Sequence, residues 1–409
     1  MKLLHTADWH LGKRLNEYTR IEEQKVVLNE VCEIAEKEAV DAVLIAGDLF
    51  DTANPGSDAT ELFYKTVHQL ADHGRRAVIA IAGNHDAPDR IDAPIPLANV
   101  CGVVLMGRPD KQINSFQLDT GLQVLHSAPG FAELRLPKIA YPLRLLLTPY
   151  ANEVTLKKYL GEEDKEDELR KLLQQSWQSL ADTYCDSKGV NILMAHLYFM
   201  QKDGILPEEP DDEKPILHMG GAQAIYAENI PGQIQYVALG HLHRHQLVSE
   251  TPCPLVYSSS PLAYSFSEAH QQKFVVIIEA EPGSPVHTSP IPLQQGRKLL
   301  RKRFIAVDEA IKWLKQHPET YVELTIVSDT YIESKDKKAL YAAHDGIVSI
   351  IPEITGEQHK EDASQSKTDL NKNIRDTFRD YFYQKKGQYP NEELMALFNE
   401  ILNTDAQDT

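Results

Sequence analysis

The chain is poor in cysteine. Its 409 residues include only four, and no two of them are spaced as Cys-x-x-Cys; they are Cys32, Cys101, Cys185 and Cys253. This scarcity removes a disulfide framework and a thiolate zinc site as leading interpretations. We interpret the four cysteines as small buried apolar residues.

Long apolar runs are missing as well. No segment approaches the roughly 18 consecutive apolar residues that a membrane-spanning helix needs. Residues 1–12 contain His5, Asp8 and His10, and they lack the cationic head, apolar core and cleavage site of a signal peptide. The sequence therefore predicts a cytoplasmic protein that makes no contact with a membrane.

Positive charge is scarce relative to negative charge. The chain has 42 Lys and Arg against 60 Asp and Glu, which gives a formal net charge of −18. This balance argues against a free-standing nucleic-acid binder that works by charge alone. The chain also lacks the phosphate-binding loop Gly-x-x-x-x-Gly-Lys-Ser/Thr, so any dependence on ATP must come from a partner.

What the chain does have is 16 histidines and a repeated pattern at the ends of apolar runs. Short apolar runs alternate with amphipathic helical stretches over the first 280 residues, which predicts a layered α/β domain. Five runs each lead into a residue of metal-ligand type, namely Asp8, Asp48, Asn84, His196 and His241. Ligands bind at the carboxyl ends of strands in open α/β sheets, so this pattern predicts a single site.

Further donors accompany three of these run ends. The complete set, in chain order, is Asp-x-His at 8–10, Gly-Asp at 47–48, Gly-Asn-His-Asp at 83–86, His196, and Gly-His-x-His at 240–243. Side chains two residues apart on an extended chain lie on the same side, so each x-spaced pair can act together. Imidazole with carboxylate and amide oxygens suits manganese, iron or zinc in two neighbouring sites.

As an ordered set, these motifs resemble the calcineurin-like metallophosphoesterase superfamily. The opening His-Thr-Ala-Asp-Trp-His-Leu-Gly narrows the resemblance to DNA-break-repair nucleases that act with a coiled-coil ATPase. The resemblance covers nearly the whole chain. It implies a four-layer α/β metallophosphoesterase sandwich, in which two central mixed sheets are flanked by helices, with a small α+β cap domain and a C-terminal helix pair. The corresponding ranges are 1–281 for the nuclease core, 282–355 for the cap domain, 356–367 for a linker, and 368–409 for the partner-binding helix pair.

The resemblance also assigns the site residues. It gives one metal ion the ligands Asp8, His10, Asp48 and His243, and the other the ligands Asp48, Asn84, His196 and His241. Two divalent ions that share Asp48 can activate a water for in-line attack on a phosphate. We expect Mn²⁺, with Mg²⁺ as the alternative. His85 would contact the scissile phosphate and help to protonate the leaving oxygen.

Two carboxylates compete for the role of orienting His85. Asp51 matches the carboxylate that has this role in related phosphatases, and we assign it, with Asp86 as the competitor. Asp51 as a simple loop cap before Thr52 remains the alternative. If the assignment is right, Asp51→Asn lowers turnover and leaves the metal content intact.

Two more residues lie close to the motifs. His245 is in phase with His241 and His243, but the resemblance supplies no role for it, so we interpret it as structural. Ser259 stands where the family usually has glycine, and we expect only a local effect on the backbone there, because serine fits most turns.

The remainder of the chain points to partners. Proline and glycine between 281 and 295 predict a linker, followed by a basic patch at 297–303 that could contact DNA. The tail carries two amphipathic helices. The resemblance implies that these helices bind the coiled-coil ATPase, in an assembly with two copies of each chain. By the same resemblance, helices at 58–71 and 90–100 form a homodimer through the core.

The motifs predict a metal-dependent phosphoesterase. The resemblance implies that it is a DNA nuclease, acting as a double-strand exonuclease and a single-strand or hairpin endonuclease in DNA end processing, repair and recombination. A stand-alone metallophosphatase or cyclic-nucleotide phosphodiesterase is the alternative enzyme, since its core would have the same motifs. A DNA-end-binding scaffold without activity is the third possibility.

Overall fold

The computed structural model describes residues 1–152, 156, 165–202, 224–328 and 332–354, with isolated positions between 375 and 398. The chain divides into two compact units, residues 1–326 with 332–352, and residues 327–331 with 353–409. The predicted linker and most of the predicted helix pair lie outside the described residues. In the second unit, the rings of Phe378 and Phe398 stack with their centroids 3.9 Å apart.

The first sheet of the larger unit has six strands. Their spatial order is His287–Pro292, Phe274–Glu279, Lys2–Thr6, Ala42–Ala46, Ala77–Ile81 and Val103–Met106. The last four run parallel to one another, and the first two join them as an antiparallel pair. The sheet is therefore mixed, and the carboxyl ends of its parallel strands lie at one edge.

The second sheet has seven strands. Their spatial order is Gln246–Ser249, Leu255–Tyr257, Tyr236–Gly240, Val190–His196, Leu143–Thr148, Phe131–Arg135 and Gln123–Ala128. The second to fifth of these are parallel, and the outer strands are antiparallel. His196 pairs with Gly240 in this register, so His241 follows directly beside His196.

Alternation of side chains along the strands explains how the sheets pack. In Ala42–Ala46, Val43 and Ile45 join the apolar cluster on one face, and Leu44 joins the cluster on the other. Every residue of this strand is buried. A strand that is covered on both faces is an unbroken apolar run, which is the signal in the sequence.

Helices cover the outer face of each sheet. Ile21–Lys37 and Ser57–Ala71 pack on the first sheet, and Lys165–Tyr184 packs on the second. A third apolar cluster lies between the two sheets. The prediction of two mixed sheets flanked by helices is confirmed. None of the described helices is long and apolar enough to cross a membrane.

Shorter elements complete the larger unit. The helices Pro88–Asp92 and Ile95–Val100 precede the last strand of the first sheet. Two-residue strands pair as Arg14–Leu15 with Tyr18–Thr19, and as Phe199–Met200 with Ile225–Tyr226. Single 3₁₀ turns lie at Asp72–Gly74, Ala227–Asn229 and Phe266–Glu268.

The region predicted as a linker contains a strand of the first sheet. His287–Pro292 pairs along its whole length with Phe274–Glu279, although it includes Pro290 and Pro292. Proline is tolerated there because this is the edge strand, where one side of the backbone has no neighbour to bond. The first sheet therefore continues to residue 292, beyond residue 281, where we expected the core to end.

A small α+β segment follows the edge strand. Its three-stranded sheet has the order Lys298–Phe304, Thr320–Ser328, Ile347–Ile354, with helices Val307–Gln316 and Ser334–Ala343. In the predicted basic patch, Arg301 Nε lies 2.7 Å from a carboxylate oxygen of Glu323, and Arg297 lies 3.7 Å from Asp345. These acidic neighbours offset part of the charge of the patch.

Ser259 adopts a backbone conformation that favours glycine. Its φ is +93°, so the substitution of serine for the family's usual glycine has a local effect on the backbone, as the sequence predicts. The hydroxyl oxygen accepts a hydrogen bond from Phe274 N at 2.9 Å and lies 3.1 Å from Phe274 O. These contacts connect the Ser259 loop to the first sheet and offset part of the cost of positive φ, which is about 1–3 kcal/mol.

A buried histidine joins the two sheets. His5, on Lys2–Thr6, has no exposed surface. Its Nε2 lies 3.1 Å from Leu239 O, and its Nδ1 lies 2.9 Å from the hydroxyl of Tyr236. A carbonyl can only accept, so Nε2–H donates to Leu239 and Nδ1 accepts from Tyr236. Burial lowers the pKa of His5 to about 3, and the ring is neutral at pH 7.

This neutral histidine makes the fold sensitive to acid. Below pH 6.5 the unfolded chain binds a proton at His5 that the folded chain does not take up until pH falls to about 3. The free energy of unfolding therefore decreases as the pH is lowered from 6.5. His5 contributes up to about 1.4 kcal/mol of this decrease per pH unit. In His5→Gln the side chain keeps a donor and an acceptor but cannot titrate, so this part of the slope should vanish.

Urea unfolding of both proteins in EDTA, at pH values between 6.5 and 4, measures the difference. All other titrating groups are common to the two proteins and cancel. A stability difference that does not change with pH would show that His5 does not carry the effect.

Candidate metal centre

Strand ends from both sheets meet at one place in the larger unit. The backbone N–H of His241 donates to Asp8 Oδ1 at 2.8 Å, and Nδ1 of His196 donates to Ala46 O at 2.9 Å. Asp8 and Ala46 lie at strand ends of the first sheet, and both histidines lie at strand ends of the second sheet. The two sheets are thus joined directly at the predicted site.

The first group of donors is formed by Asp8, His10 and His243. Their ligand atoms lie within 4.8 Å of one another, and all three residues are buried. Nε2 of His10 lies 3.0 Å from Nε2 of His243. The buried Oδ2 of Asp8 has no hydrogen-bond partner. A cation among these atoms would satisfy the carboxylate oxygen and both ring nitrogens at once.

The second group of donors is formed by Asp48, His196 and His241, with Asn84 beside them. Nε2 of His196 lies 3.3 Å from Asp48 Oδ2 and 2.9 Å from Asn84 Oδ1. Nδ1 of His241 lies 3.0 Å from the same oxygen of Asn84. All the donors that the sequence predicts for the second ion are therefore close together.

A single oxygen connects the two groups. Oδ2 of Asp48 lies 3.3 Å from Nε2 of His196 and 3.4 Å from Nε2 of His10. The other oxygen, Oδ1, accepts a hydrogen bond from His85 N at 2.9 Å. This arrangement fits a carboxylate that bridges two cations. Together with the orphaned oxygen of Asp8, it makes the donor set suitable for divalent metal ions.

The backbone around the site is strained. Asp8, His10, Asp48 and His241 all have positive φ, at 54°, 42°, 47° and 108°. Residues other than glycine rarely adopt this region, and each instance costs about 1–3 kcal/mol. Such strain persists only where the surrounding structure holds it, and here it turns four donor residues toward one another.

Two glycines allow the sheets to approach this closely. A Cβ at Gly47 would lie 2.1 Å from His196 Nδ1, and a Cβ at Gly240 would lie 1.9 Å from Ala46 O. Neither distance is possible for a side-chain carbon. Both positions precede a predicted ligand, so any larger residue there would separate the sheets at the site.

Burial and mutual charge set the protonation of the cluster. Burial raises the pKa of Asp8 to about 6 and lowers the pKa of His10 well below its ordinary value. Burial also opposes charge on Asp48 and His196. Their mutual attraction is stronger, however, and it lowers the pKa of Asp48 and raises that of His196 to about 9.

His85 is held by the backbone of Asp51 rather than by its carboxylate. Nδ1–H of His85 donates to the carbonyl oxygen of Asp51 at 2.7 Å. The Asp51 carboxylate instead lies 3.4 Å from Lys13 Nζ and 3.8 Å from His10 Nδ1. The residue that we assigned is therefore in contact with His85, but through a different group from the one we expected.

Asp86 fastens the loops that carry the donors. Its carboxylate accepts hydrogen bonds from the backbone N–H groups of Leu49, Phe50 and Gly83 at 2.8–3.0 Å. Burial and the charge of Asp48 raise its pKa to about 6. Asp86 therefore joins the loop after Asp48 to the loop before Asn84, and its two oxygens are occupied by that contact.

His245 lies next to the motif but outside the donor groups. Its Nδ1 lies 3.0 Å from Tyr257 O, and its ring packs on Phe274. A carbonyl partner requires a proton on Nδ1, so the backbone of Tyr257 fixes the ring.

Three residues that touch the site are missing from the sequence-based prediction. Tyr264 packs its ring against His10 and His243, with centroids 5.4 and 6.0 Å away. Glu268 and Lys273 form a buried ion pair beside His243. Tyr264 lies in a loop, Glu268 ends a 3₁₀ turn and Lys273 precedes a strand, and no spacing rule marks such positions. Only their place in the folded chain reveals them.

Comparisons with known proteins agree with this geometry. The family model for calcineurin-like phosphoesterases matches residues 1–245. The chain is 34% identical over 406 residues to the SbcD subunit of the nuclease SbcCD from Bacillus subtilis (strain 168), covering 98% of this chain and 97% of that protein. It is 30% identical to the proteins of the same name from Staphylococcus epidermidis, over 73% of this chain and 71% of that one, and from Rhodobacter capsulatus, over 71% and 69%. By its motifs, its donor groups and these matches, the chain belongs to the calcineurin-like phosphoesterase family.

Proposed function

We propose that this phosphoesterase is a metal-dependent DNA nuclease. It hydrolyses phosphodiesters as an exonuclease on double strands and as an endonuclease on single strands and hairpins. The observation that carries the proposal is the single Asp48 oxygen shared by the two donor groups, 3.3 and 3.4 Å from His196 and His10. The relatives, which are named as subunits of the nuclease SbcCD, support DNA as the substrate.

We assign the donors to two divalent ions. The first would be held by Asp8, His10, Asp48 and His243, and the second by Asp48, Asn84, His196 and His241. When bound, the ions supply activation of a water and stabilisation of charge on the phosphate. Mn²⁺ is proposed, with Mg²⁺ as the alternative, because every donor is an imidazole nitrogen or an oxygen and none is a thiolate.

His85 is the proposed acid for the leaving oxygen. The Asp51 carbonyl fixes the proton on Nδ1, so Nε2 is the nitrogen that remains for the substrate. The ring packs edge-on against His10 with centroids 4.7 Å apart, which places it beside the first donor group. Its backbone N–H donates to Asp48 Oδ1, so the residue is hydrogen-bonded directly to the proposed bridging carboxylate.

The first test compares substrates. Wild-type protein with Mn²⁺ should cleave a DNA hairpin and a blunt duplex, and EDTA should abolish cleavage. His85→Ala should lower cleavage by about 10²–10⁴-fold, because a general acid contributes that much. It should leave Mn²⁺ binding unchanged, since His85 holds no ion in the proposed assignment.

The control is His245→Ala, which removes a nearby histidine that has no proposed role. Its cleavage rate should equal that of the wild type. Cleavage of a small phosphodiester without cleavage of DNA would instead identify a stand-alone phosphoesterase. A wild-type protein that binds DNA ends but cleaves no substrate would identify a scaffold.

The second test concerns Asp51. Because the carbonyl oxygen holds His85, Asp51→Asn should retain the contact and lose only the charge facing Lys13 and His10. A partly exposed ion pair is worth about 0–1 kcal/mol, so turnover should fall by no more than about fivefold. A fall near that of His85→Ala, with metal content intact, would instead favour the carboxylate as the orienting group.

The proposed assembly starts from a homodimer through the core. Leu97 and Val100 on the helix Ile95–Val100 are 75% and 68% exposed. Large apolar side chains this exposed on one short helix are typical of an interface. Leu97→Asp with Val100→Asp should convert a dimer to a monomer in light scattering. Val26→Asp, at an apolar residue that is 45% exposed on another helix, is the matched control; equal masses for all three proteins would refute this interface.

The proposed partner is an SbcC-type coiled-coil ATPase, in a complex with two copies of each chain that acts in DNA end processing, repair and recombination. The partner's name follows from that of the relatives. Residues 368–409 are the proposed binding element, so deletion of 367–409 should abolish copurification with the ATPase and spare basal cleavage. Retained copurification would place the contact elsewhere. The cap role of residues 282–355 and the cytoplasmic location stay predictions.

A further inference from the structure

A buried carboxylate stands directly behind one of the proposed ligands. Glu268, on the 3₁₀ turn Phe266–Glu268, has no exposed surface. Its Oε1 lies 3.4 Å from Nδ1 of His243 and accepts a hydrogen bond from Tyr264 N at 3.1 Å. The other nitrogen of His243, Nε2, faces His10. Glu268 therefore contacts the side of the imidazole that is turned away from the donor group.

Lys273 holds this carboxylate in place. Its ammonium group donates to Glu268 Oε2, to His243 O at 2.8 Å, and to Ser260 Oγ at 3.0 Å. A longer contact joins the same group to Gln271 Oε1 at 3.5 Å, so all three N–H donors of the ammonium group have acceptors. The pair is thus anchored to the backbone of the residue whose side chain it supports, and Glu268 cannot turn away without leaving a buried charge unpaired.

His196 and His243 differ in the group that lies nearest to Nδ1. Nδ1 of His196 donates to the neutral carbonyl of Ala46 at 2.9 Å, and the carboxylate of Asp8 is farther away, at 3.8 Å. His243 instead has a carboxylate at its Nδ1. A carboxylate partner fixes the tautomer, and it also makes the opposite nitrogen more basic than a carbonyl does.

We propose that Glu268 is a positioning residue that orients His243 and strengthens binding of one of the two ions. This inference rests on the proposed metal assignment, in which His243 belongs to the ion held by Asp8, His10 and Asp48. It predicts that the affinity for one ion depends on Glu268 and that the affinity for the other does not. The ion assigned to Asn84, His196 and His241 has no contact with Glu268 through its histidines and should be unaffected.

The chain offers a matched control for the alternative that Glu268 only stabilises the fold. Glu133 is also a buried carboxylate, 9% exposed. It lies 2.6 Å from Arg144 Nε and 2.8 Å from Nδ1 of His126. It therefore has the same pair of partners, a cation and a histidine, but that histidine belongs to no candidate metal group among the described residues.

The experiment is a titration of metal-free full-length protein with Mn²⁺. Electron paramagnetic resonance measures the concentration of free Mn²⁺ at each step. The wild type should bind two ions. Glu268→Gln should bind one ion as tightly as the wild type does, and the other about 10–100-fold more weakly, as expected for loss of such a partner. Glu133→Gln should bind both ions as the wild type does, even if its urea midpoint falls.

Glu268→Gln with Lys273→Gln guards against a variant that fails to fold, because removing both charges leaves neither one buried alone. It should show the same selective loss of one ion. Two ions bound with wild-type affinity in these variants, or an equal weakening of both ions, would overturn the inference. A wild-type protein that binds no Mn²⁺ would overturn the proposed function itself, which is a different result.

Discussion

The packing of one sheet against the other is the constraint on which the site depends. Asp8, Asp48 and Asn84 follow strands of the first sheet, whereas His196, His241 and His243 belong to the second. Neither sheet holds a complete donor group. The apolar cluster between the sheets and the contacts of His5 with Tyr236 and Leu239 fix the relative position of the two sheets. The donor groups at the edge therefore form only because the two sheets pack against each other in the interior.

The close approach of the sheets at that edge is accompanied by backbone strain in the loops that carry the donors. The donor residues with positive φ are held by bonds from several sides. The backbone of the 84–86 loop reaches Asp48, while the Asp86 carboxylate reaches back to Leu49 and Phe50. Such reciprocal bonding between loops keeps strained conformations populated. It also explains why the carboxylate of Asp86 serves the loops rather than the imidazole of His85.

Much of the site could be predicted from the sequence, because buried parallel strands are unbroken apolar runs and ligands follow their carboxyl ends. That rule predicts the donors that the structure brings together. It says nothing about which atom of a residue makes a contact, so Asp51 was assigned through its carboxylate when its carbonyl oxygen is the acceptor. Glu268 follows no apolar run and belongs to no spaced motif, so only the tertiary fold reveals its contact with His243. Composition also misled at 287–292, where prolines occupy an edge strand.

The division of the donors between two sheets has a mechanical consequence. In the proposed assignment, an ion held by Asp8 and His243, or by Asn84 and His196, would crosslink separate layers of the protein. Binding energy that favours the folded chain alone adds to its stability in proportion to the logarithm of free metal concentration. The ions that take part in the reaction would then also hold the two sheets together at the edge where the donors meet. At low metal concentration the protein would be both less active and less stable.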